Sequence, residues 1–82
     1  MSLMVESKGK RVELFRVSMH IDKTLFAKKI GISSRTLYSR ETDSSDTTHS
    51  ELEKMVEMGA NPEFLLTGKG PILREGFKRG ND

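Results

Sequence analysis

Residues 31–41 read GISSRTLYSRE, and four of them could do recognition chemistry together. If the run from Ser34 to Glu41 is helical, Ser34, Arg35, Tyr38 and Ser39 stand at i, i+1, i+4 and i+5, on one stripe. Leu37 and Glu41 then share the opposite face. The stripe carries hydroxyls and one guanidinium and no large aliphatic side chain. A guanidinium can bond bidentately to O6 and N7 of guanine, and hydroxyls can reach base edges or phosphates. This makes Ser34, Arg35, Tyr38 and Ser39 the candidate contact residues of the chain.

Other chemistries find little support. The 82 residues contain no cysteine, so there is no disulfide framework, no thiol nucleophile and no cysteine-type zinc site. His20 and His49 stand without a second ligand at metal spacing, and no metal site is expected. No carboxylate pair, Ser-His arrangement or phosphate-cradling loop has a structural context, and Gly68-Lys69-Gly70-Pro71 lacks the rest of a P-loop. The expectation is a protein that is not an enzyme and needs no small-molecule cofactor. No apolar run approaches the roughly 18 residues that would suggest a membrane span, and no signal peptide is visible. A cytoplasmic, nucleoid-associated location and no membrane partner are expected.

Net charge is +2, but it is unevenly distributed. Residues 8–40 carry nine Lys and Arg against Glu13 and Asp22, a surplus of seven positive charges. Residues 41–63 carry seven Asp and Glu against Lys54, a surplus of six negative charges. The basic half, which holds Arg35, is therefore the candidate for contact with a polyanion.

The elements that must position these residues are helices. Apolar spacing and cap residues predict five, and strand-like alternation is absent. The first runs from about Lys8 to Ser18, with Val12, Phe15 and Met19 on one face. The second follows Asp22 as N-cap, turns Phe26, Ala27 and Ile30 inward and stops at Gly31. The third follows Ser33 and ends near Glu41, after which Thr42 to Asp46 reads as a solvated loop. The fourth opens on a capping box, Thr48-His49-Ser50-Glu51, and sends Leu52, Met55 and Val56 to the core. In the fifth, Asn61 caps, Pro62 takes the first position and Gly68 ends the helix. Its Phe64, Leu65 and Leu66 leave no polar face, so most of it should be buried. The organisation expected is a flexible N-terminus over 1–7, one domain over 8–68, and a tail over 69–82 that is loose beyond Leu73.

The second and third helices, joined by Gly31-Ile32-Ser33, describe a helix-turn-helix, in which the second of the pair can enter the DNA major groove. In this register the chain resembles the lambdoid phage repressor and Cro domains, grouped with bacterial regulators of the xenobiotic-response type. Ala27, Gly31, Ile32 and Leu37 stand at the alanine, glycine and two apolar positions of that helix-turn-helix. Arg16 and Glu41 match two residues that form a structural ion pair in the family. Gly59 and Asn61 to Gly68 resemble its closing "G…WLLTG" signature, with Phe64 for tryptophan. The match runs without a gap from Val12 to Gly68.

The resemblance implies an all-α, five-helix lambda-repressor-like domain that binds double-stranded DNA sequence-specifically, as a homodimer, and regulates transcription as a repressor. It implies Lys23, Thr24 and Thr42 as phosphate contacts. Three positions depart from the pattern. Lys23 replaces a glutamine, keeping a charge for phosphate but losing the amide that braces a recognition side chain. Arg40 replaces an apolar residue, and its head is expected to snorkel toward phosphate or solvent. Lys54 replaces a leucine. Two alternatives stay open: a partner-binding, antitoxin-like module docking through Ile72, Leu73 and Phe77, or the N-terminal half of a larger two-domain repressor.

Overall fold

A computed structural model describes residues 7–77. Its helices are α1 (Lys8–Ser18), α2 (Lys23–Ile30), α3 (Ser34–Glu41), α4 (His49–Met58) and α5 (Pro62–Thr67). Among the described residues there is no strand, only an isolated antiparallel bridge between Ala60 and Leu73. Each helix starts where a side chain can satisfy its free N–H groups: Ser7, Asp22, Ser33, Thr48 and Asn61 all accept from the first turn. In α4 the cap is reciprocal, with Thr48 accepting from the Glu51 N–H and Glu51 accepting from the Thr48 N–H. Gly31 closes α2 at φ 83°, a left-handed conformation that a side chain would strain.

The core forms where the inward faces meet. Phe15 from α1 and Phe26 from α2 lie edge to face, with centroids 6.0 Å apart. Val12 of α1, Ala27 and Ile30 of α2, Leu37 of α3, Met55 of α4, Ala60, and Phe64 and Leu65 of α5 complete the buried cluster. Met19 is only half-buried at the edge of that cluster. The expectation that α5 is mostly buried holds for Phe64 and Leu65, but Leu66 is 57% exposed. One turn of helix cannot turn three consecutive side chains toward the same side.

The stretch 69–77 does not hang free of the helices. Asn61 N–H donates to the Ile72 carbonyl at 2.9 Å, and Arg74 N–H to the Gly59 carbonyl at 2.8 Å. Arg74 Nε reaches the Val56 carbonyl, and its guanidinium lies 5.2 Å from the centre of the Phe77 ring. That ring covers Gly59 so closely that a Cβ there would sit 2.5 Å from it. Residues 74–77 are thus held, by backbone bonds and a glycine bed that composition alone does not signal. The rest of the expected loose tail, 78–82, and residues 1–6 of the expected flexible N-terminus lie outside the described residues. Ile72 and Leu73 are partly buried against the core.

The segment after α3 also does more than meet solvent. Asp43 Oδ1 accepts the Gly9 N–H at 2.8 Å, and the Ser7 hydroxyl donates to the same carboxylate. A carboxylate here complements the positive end of α1. The approach is close: a Cβ at Gly9 would lie 2.3 Å from the Arg40 carbonyl oxygen and 2.5 Å from that of Glu41. Gly9 therefore sets how near α1 comes to the end of α3. In an open helix Gly→Ala stabilises by about 0.5–1 kcal/mol, but here the obstruction is backbone. Gly9→Ala is expected to destabilise by about 1–3 kcal/mol, the usual cost of overpacking. Urea denaturation checks this, and a midpoint at or above that of the parent would mean that α1 and α3 can part freely.

Candidate nucleic-acid interface

α3 is built with two unlike faces. Its start is set by Ser33, whose hydroxyl accepts the Thr36 N–H at 3.1 Å. Leu37 and Glu41 then point into the domain and are buried. The expected stripe divides. Ser34, Arg35 and Tyr38 face outward, with Tyr38 59% exposed, whereas Ser39 is half-buried on the flank. The Ser39 carbonyl accepts the N–H groups of Ser44 and Ser45, which ties that flank to the following turn.

The residues around the stripe are placed as follows. Lys23 and Thr24 open α2 and are exposed. The Lys23 ammonium lies 5.4 Å from the centre of the Tyr38 ring, a cation–π geometry. Lys23 thus contacts a residue of the outward stripe through the face of its ring, where the resemblance implied an amide. Thr42 is exposed after α3, and its hydroxyl donates to the Tyr38 carbonyl at 2.9 Å. It also lies 3.1 Å from the Ser44 hydroxyl, so donating to a phosphate oxygen requires the Thr42 hydroxyl to turn away from the Tyr38 carbonyl.

Two ion pairs hold the end of α3. Arg16 Nε donates to Glu41 Oε2 at 2.8 Å and Nη2 to Oε1 at 3.4 Å, with side chains 11% and 4% exposed. Arg16 Nη1 also satisfies the Ile21 carbonyl at 3.1 Å. On the other side Arg40 does not reach toward phosphate or solvent as expected. Its Nε and Nη2 each donate to Glu51 at 2.9 Å, its Nη1 donates to the Ser45 hydroxyl at 2.6 Å, and the two side chains are 15% and 8% exposed. The reason is the position of Glu51, which the capping box places at the first turn of α4, beside α3. A planar guanidinium matches that carboxylate in two bonds, and this outweighs exposure of the head. Lys54 likewise has a defined place, its ammonium lying 3.0 Å from where a Cβ of Gly31 would be. A cation there complements the negative end of α2.

These contacts shift two carboxylates. The Arg40 hydrogen bonds hold the Glu51 carboxyl below the ordinary range, against an opposing push from burial and with help from the Thr48 N–H. Asp43 is held low by the Ser7 hydroxyl and then the Gly9 N–H. Arg11 was not singled out from sequence, yet it is buried and donates from Nη1 to the Leu65 carbonyl at 3.2 Å, joining α1 to α5. Nothing local marks it, since its acceptor is 54 residues away. Among the described residues, no group of three or more His, Cys, Asp or Glu could hold a metal ion, and no helix is long and apolar enough to cross a membrane.

A carboxyl whose folded pKa is depressed adds stability above its unfolded pKa and loses it as pH falls through the folded value. Stability should therefore decline on acidification below about pH 4, where free carboxylates titrate. Glu51→Gln should cost about 2–3 kcal/mol at neutral pH by breaking a largely buried charged pair. It should also give a shallower acid limb in denaturation midpoints measured from pH 7 to pH 2. A variant with the parent's acid limb would show that Glu51 does not govern it.

No family model matches the chain. No curated protein matches it either. Among solved structures, the P22 c2 repressor protein in complex with synthetic operator 9T in the presence of Tl+ superposes with a TM-score of 0.70. The match covers 79% of this chain and 100% of that one at 20% sequence identity. The chain thus has the all-α, five-helix fold of a phage repressor, with the helix-turn-helix at α2 and α3.

Proposed function

We propose that this protein binds double-stranded DNA sequence-specifically and acts as a transcriptional repressor or regulator, by occupying an operator. The observation that carries this reading is the outward face of α3. Ser34, Arg35 and Tyr38 are exposed there, on a helix whose inner side and C-terminal end are pinned by Leu37, Arg16–Glu41 and Arg40–Glu51. A reading element must be rigid and yet unoccupied, and this one is both. The basic surplus of residues 8–40 supports it, as does the fold shared with a repressor solved on operator DNA.

In this reading Arg35 contacts a base, with Ser34, Tyr38 and Ser39 as its neighbours. Lys23, Thr24 and Thr42 contact phosphates at the ends of α2 and α3 and fix the register without reading sequence. Two copies bind a palindrome with half-sites about one helical turn apart. The partner-binding alternative through Ile72, Leu73 and Phe77 has less support, because those side chains pack within the chain itself.

Selection from a random duplex library at fixed, near-physiological salt tests the proposal, with enrichment of a short palindrome expected. Folded protein that enriches nothing would refute it. Arg35→Ala should cost about 1–3 kcal/mol and relax preference at one base position. Unchanged preference would remove Arg35 from base reading. Lys23→Ala should weaken all duplexes and reduce the salt slope by about one unit. Because the Lys23 ammonium rests on the Tyr38 ring, the same variant should also alter preference at the base nearest Tyr38. A purely uniform loss would mean that the two side chains act independently.

A further inference from the structure

Away from α3, the helices α4 and α5 enclose an open groove of about 480 Å³. Leu52, Val56, Leu65 and Leu66 line its floor, and the exposure of Leu66 belongs to this groove. Glu53 and Glu57 stand along one rim, one helical turn apart on α4, and both are exposed. His49 also lines the groove, with its Nε2 3.2 Å from Glu53 Oε2. Lys54 is turned to the end of α2, so it does not offset the rim.

We propose that this groove is a docking site for an amphipathic helix of a second protein, one with an apolar stripe flanked by Lys or Arg. Charge decides the occupant. Helix-in-groove recognition uses apolar anchors at i, i+3 or i+4, and i+7, and α4, at ten residues, offers a trough about 15 Å long for them. Cations spaced one turn apart on the incoming helix would meet Glu53 and Glu57 in register. A second copy of this chain fits less well. A two-fold contact sets the same patch against itself and would bring both acidic rims together. The groove lies outside the helix-turn-helix, so the site does not depend on DNA binding.

The test is an amide-shift titration of the full chain with two synthetic helical peptides that carry the same leucine stripe. One is flanked by arginines and the other by glutamates. The arginine peptide should move the amides of Leu52, Val56, Leu65 and Leu66, and the glutamate peptide should not. The double variant Glu53→Gln, Glu57→Gln keeps the fold, both residues being exposed, and should weaken the arginine peptide roughly fivefold or more, as expected for two exposed ion pairs. Leu66→Ser should remove the response. Equal binding of both peptides, no binding, or shifts elsewhere would overturn the proposal. So would movement of the same amides with protein concentration alone, which would identify the occupant as a second copy.

Discussion

Residues 40 and 41 are an arginine and a glutamate, and each is gripped from a different helix. Glu41 is held by Arg16 of α1, and Arg40 by Glu51 of α4. α3 has one fully buried apolar side chain, Leu37, so hydrophobic packing alone anchors it weakly. Its outer face is polar and cannot be packed against anything without ceasing to be a surface. Paired charges supply what burial cannot, which is a fixed direction. Ion pairs taken out of water return little net stability, but each has a narrow range of acceptable geometries. Two of them on adjacent residues fix the rotation and the tilt of the helix at its C-terminal end.

The same junction organises the rest of the domain. α1 enters beside the end of α3 because Gly9 lacks a Cβ and Asp43 accepts its N–H. Asp43 takes a left-handed backbone conformation, φ 64°, which aspartate tolerates better than most residues. Ser45, two residues on, completes the donor set of Arg40. Three chain segments therefore converge on residues 40–45, and a disturbance there would reach both the entry of α1 and the aim of the outward stripe.

Charge is divided along the chain in a way that suits two separate surfaces. The basic stretch builds α1 to α3, and the acidic stretch builds α4 and the start of α5. Where the two meet, opposite charges pair across the boundary, as in Arg40 with Glu51. Where they do not meet, cations remain around the outward face of α3 and carboxylates remain around the apolar groove. A small domain thus carries two fields of opposite sign without large self-repulsion, since the intervening pairs neutralise the interior.

The helices and their limits follow from local signals in the chain. Caps and stop signals act over three or four residues, and Asp22, Gly31, Ser33, Thr48, Asn61 and Gly68 each carry their effect locally. The stripe of Ser34, Arg35 and Tyr38 was legible for the same reason, being a consequence of helical spacing. The positions of Arg16 and Glu41 were legible through resemblance and not through spacing, because they are 25 residues apart. Long-range packing alone sets that Arg40 pairs inward, that the Lys23 ammonium lies over Tyr38, that Gly9 admits α3, that residues 74–77 fold back and that Leu66 stays in solvent. Each of these depends on how two segments approach, and an approach distance is set by the whole core at once rather than by any neighbouring residue.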